Sequence, residues 1–447
     1  MMLVKQMLAN SSVALMGLGA IAITVIASPQ TAIANSPQNL ASLLQKATFS
    51  DPATAKTAIA NLRDFKDAGV SAFLNAYQKD LPNNPQLRAT LDAICQQKDC
   101  DASRLYWYTD LEAAKTAAKN TGKPILSLRL LGNLSDELSC ANSRFFRTAL
   151  YPNTAVSQLL RDRFILHWQS ERPVPKVTID FGDGRKLEQT ITGNSIHYVL
   201  DADGLPIDAI PGLYSPQAFI EQLKDAENVA KLLSKSNNPS LRRETLVTYH
   251  REQLAKLEQS WRSDLTRLRL PLQPLLERPA TTANTPSAML ASRLTVGKMM
   301  VEMPTLTRTS SEPLPEVTPT DPFSKLSDTN WARLARLYQN RVYLDQGSLK
   351  LMQRKLPASA SLPTVVSSFE TAIAQDTVRN EYVFHAQIHS WFANGEFIDN
   401  YLNGEPRRDE SPLVLLNRRV YDQLFLTPAS DPWLGLVNEN IYTGISK

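Results

Sequence analysis

Residues 270–327 hold nine prolines among many serines and threonines. Such a stretch cannot continue a helix or sit inside a sheet, because proline lacks the donor N–H and clashes with the preceding turn. The chain must therefore build its packed cores from what lies on either side, with 270–327 as a linker or an extended strap.

The first 34 residues bear on where those cores form. Lys5 is the one charged side chain before Asn35, an apolar run follows from Val13 to Ala27, and Ser28-Pro29 breaks it. Ala32-Ile33-Ala34 then supplies small residues on either side of Ile33, the pattern of a secretory leader cleaved after Ala34. The apolar run is shorter than the ~20 residues a spanning helix needs, and no cysteine follows it to take a lipid. A periplasmic or secreted protein with no stable membrane insertion after cleavage is expected. Lys5 leaves with the leader and takes the formal net charge from +4 to +3. With both signs interspersed, that balance gives no basic face for nucleic acid. A mature chain of this length suggests two or three domains.

Residues 35–103 read as a helical module. Asp51-Pro52 is an N-cap followed by an N1 proline, and Val70, Phe73, Leu74 and Tyr77 recur at the spacing of one buried helix face. Residues 104–235 change to mixed α/β patterning. Thr109-Asp110-Leu111-Glu112 reads as a capping box, followed by an apolar stretch Ile125 to Leu131 and a helix opening at Cys140-Ala141-Asn142-Ser143. A helix from about Ala155 to Arg163 then feeds a strand Phe164 to Trp168. A hairpin centres on Gly182-Asp183-Gly184. Strands at Ile196 to Leu200 and Ile207 to Ile210 follow, and Ser215-Pro216 opens a helix through Leu223. In 236–269, Leu254, Leu257, Trp261, Leu265 and Leu268 mark an amphipathic helix, and 328–447 reads as a helical C-terminal domain. Trp391, Phe392 and Trp433 are expected as core or interface anchors.

The fold class expected is α+β or α/β, and the order of elements in 104–235 resembles the thioredoxin-like superfamily. Tyr106-Trp107 and Asp110-Leu111-Glu112-Ala113-Ala114 are similar to its first helix, Gly122-Lys123-Pro124-Ile125-Leu126 to the entry of its first central strand, and Tyr198 to Gly204 to the strand and turn that close its sheet. Cys140 to Ser143 falls where the family carries C-x-x-C, so the second cysteine is replaced by Ser143. The family's cis-proline would fall near Ser195, where there is no proline. The resemblance covers about 125 residues and leaves the flanking helical segments unexplained.

An exported protein can keep disulfides, and three cysteines cannot all pair within one chain. Cys95 and Cys100 read as a local disulfide stapling the helical module to the α/β region. The alternatives are a redox-active C-x4-C pair or a metal half-site that would need two further ligands. Cys140 then stands apart at the head of a helix, where the dipole favours a thiolate and Ser143 can donate to the sulfur. One such thiol forms a mixed disulfide that another thiol must resolve; the other readings are a buried residue on a scaffold that has lost its redox role, or a bridge to Cys95 or Cys100. Glu381, His385 and His389 share one helix face at a spacing that can chelate a divalent metal, although Ala386 stands where a zinc hydrolase has its catalytic glutamate. Ordinary hydrogen bonding is the alternative there. No phosphate loop, haem-attachment motif or nucleophile elbow is present, and no cofactor is expected.

The expectation is thus an exported thioredoxin-like protein with a non-catalytic binding or assembly role, or with monothiol redox activity at Cys140, toward a protein or small thiol of the cell envelope. A thiol-disulfide oxidoreductase-like enzyme working by mixed disulfide is the alternative, and a metal-binding protein through His385 and His389 a lesser one.

Overall fold

The computed structural model describes residues 37–190, 193–276, 326–356, 360–395, 397–399 and 410–431. The expected leader, nearly all of the proline-rich strap and Trp433 lie outside them.

Four helices open the described chain: α1 (Pro37–Phe49), α2 (Pro52–Asp64), α3 (Asp67–Tyr77) and α4 (Pro85–Cys95). Asp51 and Asn84 cap α2 and α4 through their side chains, and a proline follows each, as the fixed φ of proline favours at a first turn. Val70, Phe73 and Leu74 are buried as their spacing requires, beside Leu62, Leu91 and Ile94. Each fully buried large apolar side chain contributes about 1.5–3 kcal/mol relative to exposure. Arg63 ties the module to the α/β region, donating to the carbonyls of Ile94 at 2.6 Å and Trp107 at 3.0 Å.

A short turn of helix, α5 (Cys100–Ser103), leads into α6 (Leu111–Thr121). Asp110, one residue beyond the threonine of the expected capping box, is the N-cap and accepts from Ala113 N–H at 2.7 Å. Strand β1 (Ile125–Leu131) is buried along its whole length. The chain continues through α7 (Ala141–Phe145), a π-turn Phe146–Leu150, α8 (Thr154–Arg163) and β2 (Ile165–Arg172). Next come the hairpin β3 (Lys176–Asp180) and β4 (Lys186–Thr190), then β5 (Ser195–Leu200), β6 (Pro206–Pro211) and α9 (Pro216–Leu233). The sheet order is β2-β1-β5-β6, with β1 and β2 parallel and β5 antiparallel to both β1 and β6. Tyr108 adds a one-residue parallel bridge at His167 on the outer side of β2. The β3–β4 hairpin pairs only with itself and leaves Val177, Ile179, Phe181 and Leu187 exposed. The molecule is therefore mixed α/β, with a small mixed sheet among many helices. Helix α9 runs ten residues past the expected Leu223, because Ala226, Val229, Ala230 and Leu233 extend its buried face.

Helix α10 (Pro239–Arg267) buries Leu246, Val247, Tyr249 and His250 and, of the expected stripe, Trp261 and Leu265, whereas Leu254, Leu257 and Leu268 are half-buried. After the strap come α11 (Asp328–Ala335), α12 (Gln346–Lys355) and α13 (Leu362–Arg379). A π-turn Asn380–His385, α14 (Ala386–Ala393), α15 (Pro412–Arg419) and a π-turn Val420–Leu424 complete the order. These segments share the core of the sheet: one contiguous apolar cluster reaches from Leu43 to Phe425. A second one, around Trp261, Leu265, Trp331, Leu334, Val378 and Tyr382, joins α10 to α11 and α13. Among the described residues no helix is long and apolar enough to cross a membrane.

Candidate functional site

Cys95 and Cys100 form a disulfide. The loop it closes is held from several directions: Asp92 accepts from Cys100 N–H at 2.9 Å, and the indoles of Trp107 and Trp168 donate to Gln97 Oε1 and Gln96 O, both at 2.8 Å. Both tryptophans belong to the α/β region, so the loop that the bridge closes is hydrogen-bonded to it. A loop so short removes little chain entropy, worth about 2 kcal/mol.

Cys140 stands outside the disulfide, buried with 0% exposure, and is the N-cap residue of α7. Its N–H donates to Leu131 O at 3.3 Å and its carbonyl accepts from Arg144 N–H at 3.1 Å. Ser143 does not reach the sulfur by a hydrogen bond as expected; its hydroxyl bonds to Ser139 Oγ. Asn142 Nδ2 donates to Ser195 Oγ at 2.9 Å. Arg147, one turn on, is 1% exposed. It pairs with Asp99 at 3.1 Å and donates to Glu137 O and Ser139 Oγ. Burial pulls its guanidinium below the usual value, against the opposing pull of Asp99, Glu137 and Cys140.

The late part of the chain closes over this region. Asn194 donates to Thr427 Oγ1 at 2.9 Å, Tyr421 to Asn194 O at 3.4 Å, and Arg172 to the carbonyls of Thr427 and Asp431. A cavity of about 360 Å³ adjoins α7, lined among others by Ala141, Phe145, Leu213, Met352, Val365 and Phe369, with Arg144, Arg147, Lys355, Glu137 and Asp376 supplying charge. Phe145 and Phe369 stack across it, ring centroids 5.5 Å apart.

The second constellation is built around β6. His385 and His389 stack with centroids 4.0 Å apart, as residues one turn apart on a helix face do. Glu381 is not their companion: it pairs with Arg341 at 2.9 Å. The π-turn Asn380–His385 widens the helix, so the spacing of four from 381 to 385 no longer marks one face. Asp208 of β6 takes its place, with Oδ1 3.1 Å from His385 Nε2. Tyr249 donates to Asp208 Oδ2 at 2.5 Å and Ala209 N–H to Oδ1 at 2.7 Å. His250 of α10 completes the group, its Nδ1 2.8 Å from His389 Nδ1 and its Nε2 2.9 Å from Ile207 O. Asp208, His250, His385 and His389 are each at most 1% exposed.

Burial opposes ionisation of Asp208, but His385, His389 and the hydrogen bond from His385 outweigh it and hold the carboxyl well below the usual range. Burial pushes His250 down to about 4 and His389 well below its ordinary value. The close approach of Gly212, at the end of β6, to Asn380 makes this convergence possible. Gly212 has φ +77, and a Cβ there would meet Asn380 Nδ2 at 2.6 Å.

Sequence reasoning missed Asp208 and His250. The available signal was an acidic residue within the apolar run Ile207 to Ile210, and a histidine in the buried stripe of a helix. The chain matches no family model, no curated protein and no solved structure, which leaves these two sites to indicate its function.

Proposed function

We propose that the protein is an exported, non-catalytic binding or assembly protein of the cell envelope, whose thioredoxin-like region serves as a scaffold. The sheet order β2-β1-β5-β6, with a helix headed by Cys140 after β1 and a closing antiparallel pair, supports the thioredoxin-like reading. The observation that carries the functional choice is the complete burial of Cys140 with Ser143 engaged by Ser139. A thiolate attacking a disulfide must reach its sulfur in line, and a thiol with no exposed surface cannot do so. The cavity beside α7, mainly apolar with five charged side chains, is of the size and character that holds a ligand or a short segment of a partner chain. The redox alternative draws on Arg147, the buried cation coupled to Cys140.

Alkylation of the native protein, followed against pH, separates the two. Cys140 is expected to be protected in the native state and to react only on unfolding. Rapid native alkylation with an apparent pKa below the unperturbed value of about 8.5 would replace the binding reading by monothiol redox activity.

A further inference from the structure

Three of the five histidines of the whole chain meet at one buried carboxylate. We propose that Asp208, His385 and His389 form a buried site for one divalent transition-metal ion, zinc by the character of the donors, with His250 supporting His389 from behind. Two imidazoles and a carboxylate supply three of the four positions of tetrahedral coordination and leave one for water or another small ligand. Bonds of about 2.0–2.1 Å put tetrahedral ligand atoms about 3.3 Å apart. The 3.1 Å between Asp208 Oδ1 and His385 Nε2 approaches that value. Ligand atoms of Asp208, His385 and His389 all lie within 4.8 Å of one another.

The tautomers point the same way. A carbonyl oxygen only accepts, so His250 Nε2 carries the hydrogen it gives to Ile207 O, and the neutral ring presents a lone pair at Nδ1. A hydrogen-bond acceptor on the far nitrogen is the usual support of a metal-bound histidine. His250 Nδ1 provides it by accepting from His389 Nδ1–H, which leaves the lone pair of His389 at Nε2 for the ion. Asp208 also lacks a cation of its own: its one ion-pair partner among the described residues is His385. A divalent ion would supply the charge that a fully buried carboxylate needs.

Elemental analysis of the purified protein tests this, with cobalt(II) exchanged in as a spectroscopic probe. One zinc per chain is expected as isolated or after incubation with micromolar zinc chloride, and the cobalt form should show the intense visible bands of tetrahedral coordination. His389→Gln and Asp208→Asn should lower metal content by about tenfold or more, while His167→Gln, at a buried histidine elsewhere, should keep it. Folded wild-type protein that binds neither ion overturns the proposal, as does equal loss in His167→Gln. Should the site variants fail to fold, the wild-type stoichiometry and the cobalt spectrum decide alone.

Discussion

The surroundings of Cys140 and those of Asp208 lie on one sheet and are built in opposite ways. Around Cys140 the sequence supplies a recognisable local motif, Cys140 to Ser143, whose polar groups are engaged close by: Ser143 with Ser139, Asn142 with Ser195. Around Asp208 the only local signal is the pair His385 and His389, one turn apart. Residues from β6, α10 and the helix through His385 and His389 converge there, His385 standing 177 residues from Asp208 along the chain. The motif has kept its place while its thiol is sealed; the Asp208 cluster is where ionisable groups are concentrated without water. Function inferred from a motif alone would have looked at the quieter of the two.

Removing Asp208 should have the largest effect. Asp208→Ala deprives His385, Tyr249 and Ala209 N–H of their acceptor, and breaking a buried charged pair costs about 3–5 kcal/mol. A urea midpoint showing less than about 1 kcal/mol would erase the contrast between the sites. Acid should have an effect of comparable size. Burial pushes His167 and His197 down to about 3, below the unfolded value of about 6.5. Above that value both states are neutral and stability is full. As pH falls below it, the unfolded chain takes up protons that the native state refuses, and stability drops by about 1.4 kcal/mol per pH unit for each ring until pH nears 3. Thermal melts between pH 7 and 4.5 should fall steadily; melts that stay level would mean that these rings titrate freely.

Gly212→Ala comes third. The added Cβ meets Asn380 at 2.6 Å with φ at +77, a combination of strain and overpacking worth about 1–3 kcal/mol. It should also move the aromatic proton resonances of His385 and His389 by NMR, and unchanged resonances would detach that glycine from the cluster. Cys140→Ala should have the smallest effect, about 1 kcal/mol or less by equilibrium unfolding, if the thiol only fills space. A larger loss would mean that its interactions with Arg147 and Tyr421 hold the region together.

Much of the helical architecture was legible because periodicity is a local signal: Val70, Phe73 and Leu74 announce their buried face, and Asp51-Pro52 its beginning. The disulfide between Cys95 and Cys100 was legible from separation alone. The Asp208 cluster was not, since nothing in a sequence relates a strand aspartate to a histidine in a later helix. Glu381 misled for a sharper reason. The assumed face holds only for a regular α-helix, and the π-turn shifts it, handing Glu381 to Arg341. Likewise the merging of the C-terminal helices into the sheet's core depends on contacts across the strap, such as Asp345 accepting from Thr154 N–H at 2.7 Å.

That π-turn has a consequence for descent. A π-turn is an α-helix carrying one surplus residue without a surplus turn. Excising one position from 380–385 would restore a regular ladder and rotate everything beyond it by about 100°. The helix would survive, and His385 and His389 would swing away from Asp208. A related chain lacking that one residue would align at both histidines and yet have no cluster, so the length of this segment is a better marker of the site than the identity of its ligands.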